Sequence, residues 1–178
     1  MIRGLVRAAA VAGLMALAGC LGDIGEATRV ALEEDIPDVR LHQVEVTEVK
    51  DGVRQWHLKA AQAEYERASG LGRLSEVEVT FYPSSGAPVL VRSRRGTFDS
   101  RARELQMMGD VRGHTDSFRL FSDDLHYTPK DKCLDTPGPA RLESAGLAVA
   151  GRGLHYDLES RQLSIREDAQ TVSAQHLF

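Results

Sequence analysis

The sequence is short of four things, and each deficit removes a class of protein. Cysteine is one: there are two, Cys20 and Cys133. With Cys20 assigned to lipid attachment, as argued below, no internal disulfide is left, and Cys133 reads as a small half-buried residue before Leu134. Long apolar runs are another, since the uncharged stretch from Ala8 to Gly22 is 15 residues, short of the roughly 20 that cross a bilayer as a helix. Positive charge is the third. The net charge is -4, and without the first nineteen residues 20 basic face 26 acidic side chains, a net of -6, which argues against nucleic acid as a partner. Catalytic signatures are the fourth: Ser, His and Asp are scattered on strand-like segments with no nucleophile elbow. Gly151-Arg152-Gly153 lacks the strand-to-helix setting of a nucleotide loop, and His126 and His155 each precede a repeating tyrosine, so they report the repeat and not a metal. No enzyme activity, cofactor or metal is expected.

What is present is a repeat. Phe98, Tyr127 and Tyr156 are separated by 29 residues, as are Leu105, Leu134 and Leu163, and Val91, Leu120 and Val149. A looser first copy holds Leu58, Ala60, Ala63, Tyr65 and Leu74, with 33 residues from Tyr65 to Phe98 and 31 from Leu74 to Leu105. A fixed period means one small unit stacked on copies of itself. Turn signals about every ten residues give two strands per unit. In the first strand of a unit the apolar phase changes parity: Val149 and Gly151 share one face, Leu154 and Tyr156 the other. Strict alternation forbids this, so each unit is expected to bend at a bulge or corner. Ala60, Ser93, Ser122 and Gly151 stand there, small enough for close backbone approach.

In chain order, Arg3 and Arg7, the apolar Ala8 to Ala18 and the exit Leu17-Ala18-Gly19 read as a signal peptide over residues 1–19. Cys20 follows at once, completing a bacterial lipobox in which that cysteine is acylated. The competing reading is a transmembrane anchor. Residues 20–38 form a tether, punctuated by Gly22, Gly25 and Pro37, that reaches up to about 60 Å when extended. Val44 to Thr47 alternates, Asp51-Gly52 marks a hairpin, and the chain returns through Val53 to Tyr65. Val77 to Phe81 alternates again before the breaker-rich loop Pro83 to Pro88. Beyond the signal peptide no stretch has a helical period. With 42% hydrophobic and 27% charged residues, one soluble all-β domain over 39–172 and a short tail over 173–178 are expected.

Trp56-His57-Leu58-Lys59-Ala60 followed by Ala63-Glu64-Tyr65, the repeat, and a membrane-attached N-terminus together resemble the LptC family of lipopolysaccharide-export proteins, whose periplasmic bridge relatives share the repeat. The resemblance covers about Val39 to Ala169. It implies an open β-jelly roll of two antiparallel sheets with lipopolysaccharide acyl chains held between them. It further implies a place between an inner-membrane lipopolysaccharide ABC transporter and an LptA-type bridge protein, in the periplasm, held to the inner membrane. Family members are usually held by a transmembrane helix, whereas here the anchor reads as lipid on Cys20.

Residues expected to face the lipid are Trp56, Leu58, Phe81, Val91, Phe98, Met107, Phe118, Leu120, Tyr127, Val149, Tyr156 and Ile165, among which ordinary core outnumbers groove. The last strand, Leu163, Ser164, Ile165, Arg166 and Glu167, has no successor and is the expected partner edge. Arg92, Arg94, Arg95, Arg101, Arg103, Arg112 and Arg119 crowd one region; a solvated strand face is the favoured reading, with lipid phosphates as the competing one. A scaffold that joins envelope proteins by strand addition without carrying lipid is the alternative function.

The lipobox yields one direct expectation. The mature chain begins at an acylated Cys20, so Cys20→Ser accumulates uncleaved precursor, and an intact mass that retains Met1 in the wild type removes the lipoprotein reading.

Overall fold

The computed structural model describes residues 38–173; Cys20, the signal peptide and most of the tether lie outside that range. The described chain is all-β, with nine strands: β1 Val39–Lys50, β2 Val53–Glu66, β3 Leu71–Phe81, β4 Val89–Asp99, β5 Glu104–His114, β6 Arg119–Thr128, β7 Cys133–Ser144, β8 Leu147–Asp157 and β9 Leu163–Ser173. Each pairs antiparallel with the next, in sequence order, as one continuous sheet with β1 and β9 at its edges. The two sheets of the expected jelly roll are the two halves of this sheet, folded over on itself.

The fold line runs through the middle of every strand. In β2 the buried positions are Trp56, Leu58 and Ala60, then Ala63; in β4 they are Val89, Val91 and Ser93, then Gly96. β6 switches between Leu120 and Leu125, and β8 between half-buried Val149 and buried Leu154. These are the first strands of the repeat units, where the parity change was expected. Of the second strands, β5 and β7 keep their parity, whereas β3 also switches, between Leu74 and Val77. At the same level the strand registers slip in every pair from β4 to β9. An inserted residue bends the strand and lets both halves turn their apolar side inward.

Small residues do the local work. Ser93 Oγ donates to the Arg95 carbonyl at 2.8 Å, and Ser122 Oγ lies 3.0 Å from Thr136 Oγ1 and donates to the Pro139 carbonyl at 3.1 Å. Backbone groups that lose a ladder partner at the bend are thereby satisfied.

The 29-residue period is a path along the ladder. Val39, Tyr65, Gly72, Phe98, Leu105, Tyr127, Leu134, Tyr156 and Leu163 are successive cross-strand partners through all nine strands. They form the inner row of one half, the front layer. Val46, Leu58, Val79, Val91, Gly113, Leu120, Leu142, Val149 and Thr171 do the same in the back layer. One correction follows for the first copy: the counterpart of Leu105 is Gly72, which pairs with Tyr65, and Leu74 is the next inward residue. The β3–β4 loop accounts for the remaining excess. A second correction concerns β9, which continues past Glu167 through a left-handed Asp168 (φ 53°) to Ser173.

Among the strand bends, close approach is tightest in β8. A Cβ on Gly151 would lie 2.5 Å from Ile165 Cγ2 and 2.8 Å from the Glu167 carbonyl oxygen. Gly151→Ala is therefore expected to destabilise by about 1–3 kcal/mol through overpacking, with β9 amides losing exchange protection first. Gly52→Ala, at a φ of 77° with open space around it, should cost about 1 kcal/mol from backbone strain alone; urea midpoints of both variants check the order.

Candidate functional site

The layers do not lie squarely on each other. Trp56 of β2 packs edge-on against Phe98 of β4 (centroids 5.6 Å apart), Phe81 of β3 against Tyr127 of β6 (4.7 Å), and Phe118, entering β6, against Tyr156 of β8 (5.3 Å). A back-layer strand thus sits over a front-layer strand two or three places later. The offset leaves the inner face uncovered at opposite ends: Leu41 on β1 is 46% exposed and Leu147 on β8 is 48% exposed, although their pairings turn both inward with the ladder rows.

The twelve candidate lipid-facing residues all lie on the inner side of the folded sheet. Trp56, Leu58, Phe81, Val91, Met107, Leu120, Tyr127 and Tyr156 are buried, while Phe98, Phe118, Val149 and Ile165 are half-buried. Four of them, Val91, Phe118, Leu120 and Tyr156, meet at one apolar crevice together with Val89, Gly113, Leu134, Leu154 and Leu163. Leu134 and Leu163 were legible as repeat landmarks and Leu154 as the face-mate of Tyr156. Val89 carried no signal beyond standing two residues before Val91. The open space among them is about 10 Å³, room for at most one water-sized group. An acyl chain does not fit unless the layers part.

The rim opposite the fold line is closed by polar pairs. Arg103 Nη1 in the β4–β5 turn donates to Glu48 Oε1 of β1 at 2.6 Å. Arg161 Nη2 in the β8–β9 turn donates to Asp116 Oδ1 of the β5–β6 turn at 2.9 Å. Glu159 accepts from Lys132 Nζ at 2.8 Å and from Ser84 Oγ across the rim. Burial, with the charges of Glu48 and Glu159 behind it, pushes the Tyr127 phenol up to about 12, so it stays a neutral donor.

The arginine group resolves as a solvated, paired surface for the most part. Arg92 meets Glu78 at 2.8 Å, Arg112 and Arg94 share Asp110 at 3.0 and 3.8 Å, and Arg119 meets Glu143 at 2.7 Å; Arg103 alone of the seven pairs across the rim. His155 Nδ1 lies 2.8 Å from Asp135 Oδ1, and His126 contacts Gln106. Among the described residues no group of three or more His, Cys, Asp or Glu is arranged to hold a metal ion, and no helix is long and apolar enough to cross a membrane. Cys133 is buried, and burial first, then the Asp157 and Asp135 charges, pushes its thiol up.

Residues 5–174 match a family model described as lipopolysaccharide-assembly, LptC-related. A solved structure, LptH from Pseudomonas aeruginosa, described as the LptA-homologous periplasmic component of the lipopolysaccharide transport device, superposes with a TM-score of 0.53 at 13% identity. The match covers 66% of this chain and 93% of that one, a likeness of fold. No curated protein matches by sequence.

The rim pairs carry a pH expectation. The Ser117 hydroxyl, then Arg161, hold the Asp116 carboxyl below its usual 3.8; Lys132 and Ser84 hold Glu159 below 4.5. Depressed folded values stabilise above the unfolded ones and lose that contribution as pH falls through them. The thermal midpoint should drop below about pH 4, and a double Asp116→Asn, Glu159→Gln variant should show a shallower drop; an unchanged acid slope would remove the rim from the explanation.

Proposed function

The chain belongs to the LptC-related lipopolysaccharide-assembly family, and from that membership we propose that its β-domain receives lipopolysaccharide from an inner-membrane ABC transporter and hands it to an LptA-type periplasmic bridge protein. The observation that carries this reading is the offset of the layers. Apolar rows run the whole width of the sheet in both layers and are left uncovered at opposite ends, the front layer at Leu41 and the back layer at Leu147. Acyl chains passing from domain to domain need such a continuous face, since each methylene kept from water is worth roughly 0.8 kcal/mol.

The ends also supply the joints. β9 offers unpaired backbone groups along its outer edge, with Leu163, Ser164, Ile165, Arg166 and Glu167 in the front layer and the continuation to Ser173 in the uncovered back layer, so a bridge protein adding a strand there extends sheet and apolar face at once. The opposite end, near Val44 to Val53 in β1 and the start of β2, meets the transporter. Acylated Cys20 holds the domain at the inner membrane, with an N-terminal transmembrane helix as the alternative anchor.

The packed interior favours a second reading, a scaffold that joins envelope proteins by strand addition without cargo. Mass spectrometry of denatured, purified protein separates the two: lipopolysaccharide fragments co-purify with a carrier and are absent from a scaffold. For the carrier, Leu120→Glu or Phe118→Asp in folded protein abolishes co-purification. For the joint, proline at Ser164 or Arg166 removes a donor from whichever edge it faces. At least one of these, and Leu147→Glu on the uncovered face, should cut capture of the bridge protein tenfold or more while lipid uptake persists. Wild-type capture by all three variants would move the joint elsewhere.

A further inference from the structure

The turns that link the strands of each repeat unit share one unusual residue choice. The position two before the front-layer landmark is held in the left-handed conformation in every copy: Gly70, Arg103, Lys132 and Arg161, with φ of 79°, 60°, 51° and 59°. Glycine adopts this without penalty and a long side chain does not. Three copies nonetheless carry a cation there, 29 residues apart. Strain retained at a repeating position points to a use for the side chain.

The supporting turn is also repeated. Asp99 Oδ1 accepts the amides of Arg101 and Ala102, and Asp157 Oδ1 those of Glu159 and Ser160, fixing where the cation leaves the backbone. Consecutive turns are two strands apart, so neighbouring cations stand about 10 Å from each other along the rim. Each is now held by a carboxylate: Arg103 by Glu48, Lys132 by Glu159, Arg161 by Asp116. All three pairs are partly exposed, the kind that dissolves at little cost.

A second observation lies just inside. Glu48 is the cross-strand partner of Trp56, and the Trp56 Nε1 donor is buried without a hydrogen-bond partner. A buried donor left unmade is costly, and a carbonyl carried in beneath an anionic head would satisfy it.

Building on the lipid-carrying reading above, we propose that Arg103, Lys132 and Arg161 form a phosphate-binding row along the rim, on which the phosphates of an acylated amphiphile replace Glu48, Glu159 and Asp116, and that release of Glu48 and Asp116, whose pairs cross between the layers, unfastens the layers for its acyl chains. Here the carboxylates are competitors of the ligand. A purely structural staple predicts otherwise: removing either partner of a pair would loosen the rim alike.

The test uses the full chain, with the sole tryptophan, Trp56, as fluorescent reporter. It is titrated with bisphosphorylated lipid A in non-ionic micelles, with the same lipid dephosphorylated, and with inorganic pyrophosphate. Arg103→Gln and Arg161→Gln should each weaken binding of the phosphorylated lipid roughly tenfold, the scale of a lost charge-assisted hydrogen bond, and leave the dephosphorylated lipid unchanged. Glu48→Gln should strengthen binding of the phosphorylated lipid, the opposite sign. Pyrophosphate should bind far more weakly than the lipid; equal affinity would make the row a site for free phosphates and overturn its role in lipid entry. If the Arg and Glu variants shift binding in the same direction, or both lipids weaken equally, the row is a staple and the proposal falls. A wild-type chain that takes up neither lipid sinks the carrier reading with it.

Discussion

Everything in this domain depends on nine strands bending at one level. A flat sheet of alternating strands would gather its apolar side chains on one face and leave that face without cover. Bending every strand at its middle turns the same inner face onto itself, and the change of parity in β2, β3, β4, β6 and β8 keeps apolar side chains inside on both sides of the bend. The backbone bears strain for it: Gln43, Glu76, Asp110 and Asp168 take left-handed φ at this level, at about 1–2 kcal/mol each. Burial of the ladder residues offsets that, since a fully buried Leu, Val or Phe contributes roughly 1.5–3 kcal/mol. No layer is an independent sheet, so neither can exist without the other.

Sheet twist then decides the rest. Adjacent strands rotate relative to one another, so the layers of a folded meander cannot stay in register. The contacts of Trp56 with Phe98 and of Phe81 with Tyr127 measure the offset at two and three strands. An offset sandwich has no blunt end. One layer projects at β1 and the other at β9, and each projection carries both a free strand edge and an apolar inner face.

How much of this could be read beforehand follows from the range of each interaction. The repeat, the hairpin at Asp51-Gly52, the corner and the inward side of Val149 or Tyr156 are local patterns that a period of two or 29 exposes. The equivalence of Leu74 with Leu105 failed because residue type stood in for register: Gly72 occupies the landmark's place in the ladder, as the cross-strand partner of Tyr65. The rim pairs were out of reach. Glu48 and Arg103 are 55 residues apart and meet only through accumulated twist, and the strain at Arg103, Lys132 and Arg161 has no signature in composition. The count of arginines drew attention to the outer face, where Glu78, Asp110 and Glu143 neutralise them.

The closed interior is compatible with a carrier when its energetics are written as an exchange. Parting the layers uncovers residues such as Leu120, Leu134 and Leu154 and forfeits their contacts across the crevice. A chain of a dozen methylenes inserted there returns on the order of 10 kcal/mol, similar to what a few buried leucines lose on exposure. Cargo therefore substitutes for the domain's own packing with little net change. Under the proposed function the next domain of like fold would show the same near-balance, so the interior would hold no deep minimum in which lipid is trapped. Directed movement through such a row of equals cannot arise from the β-domains themselves. It requires free energy supplied at one end, which is the part the proposed function assigns to an ATP-driven transporter.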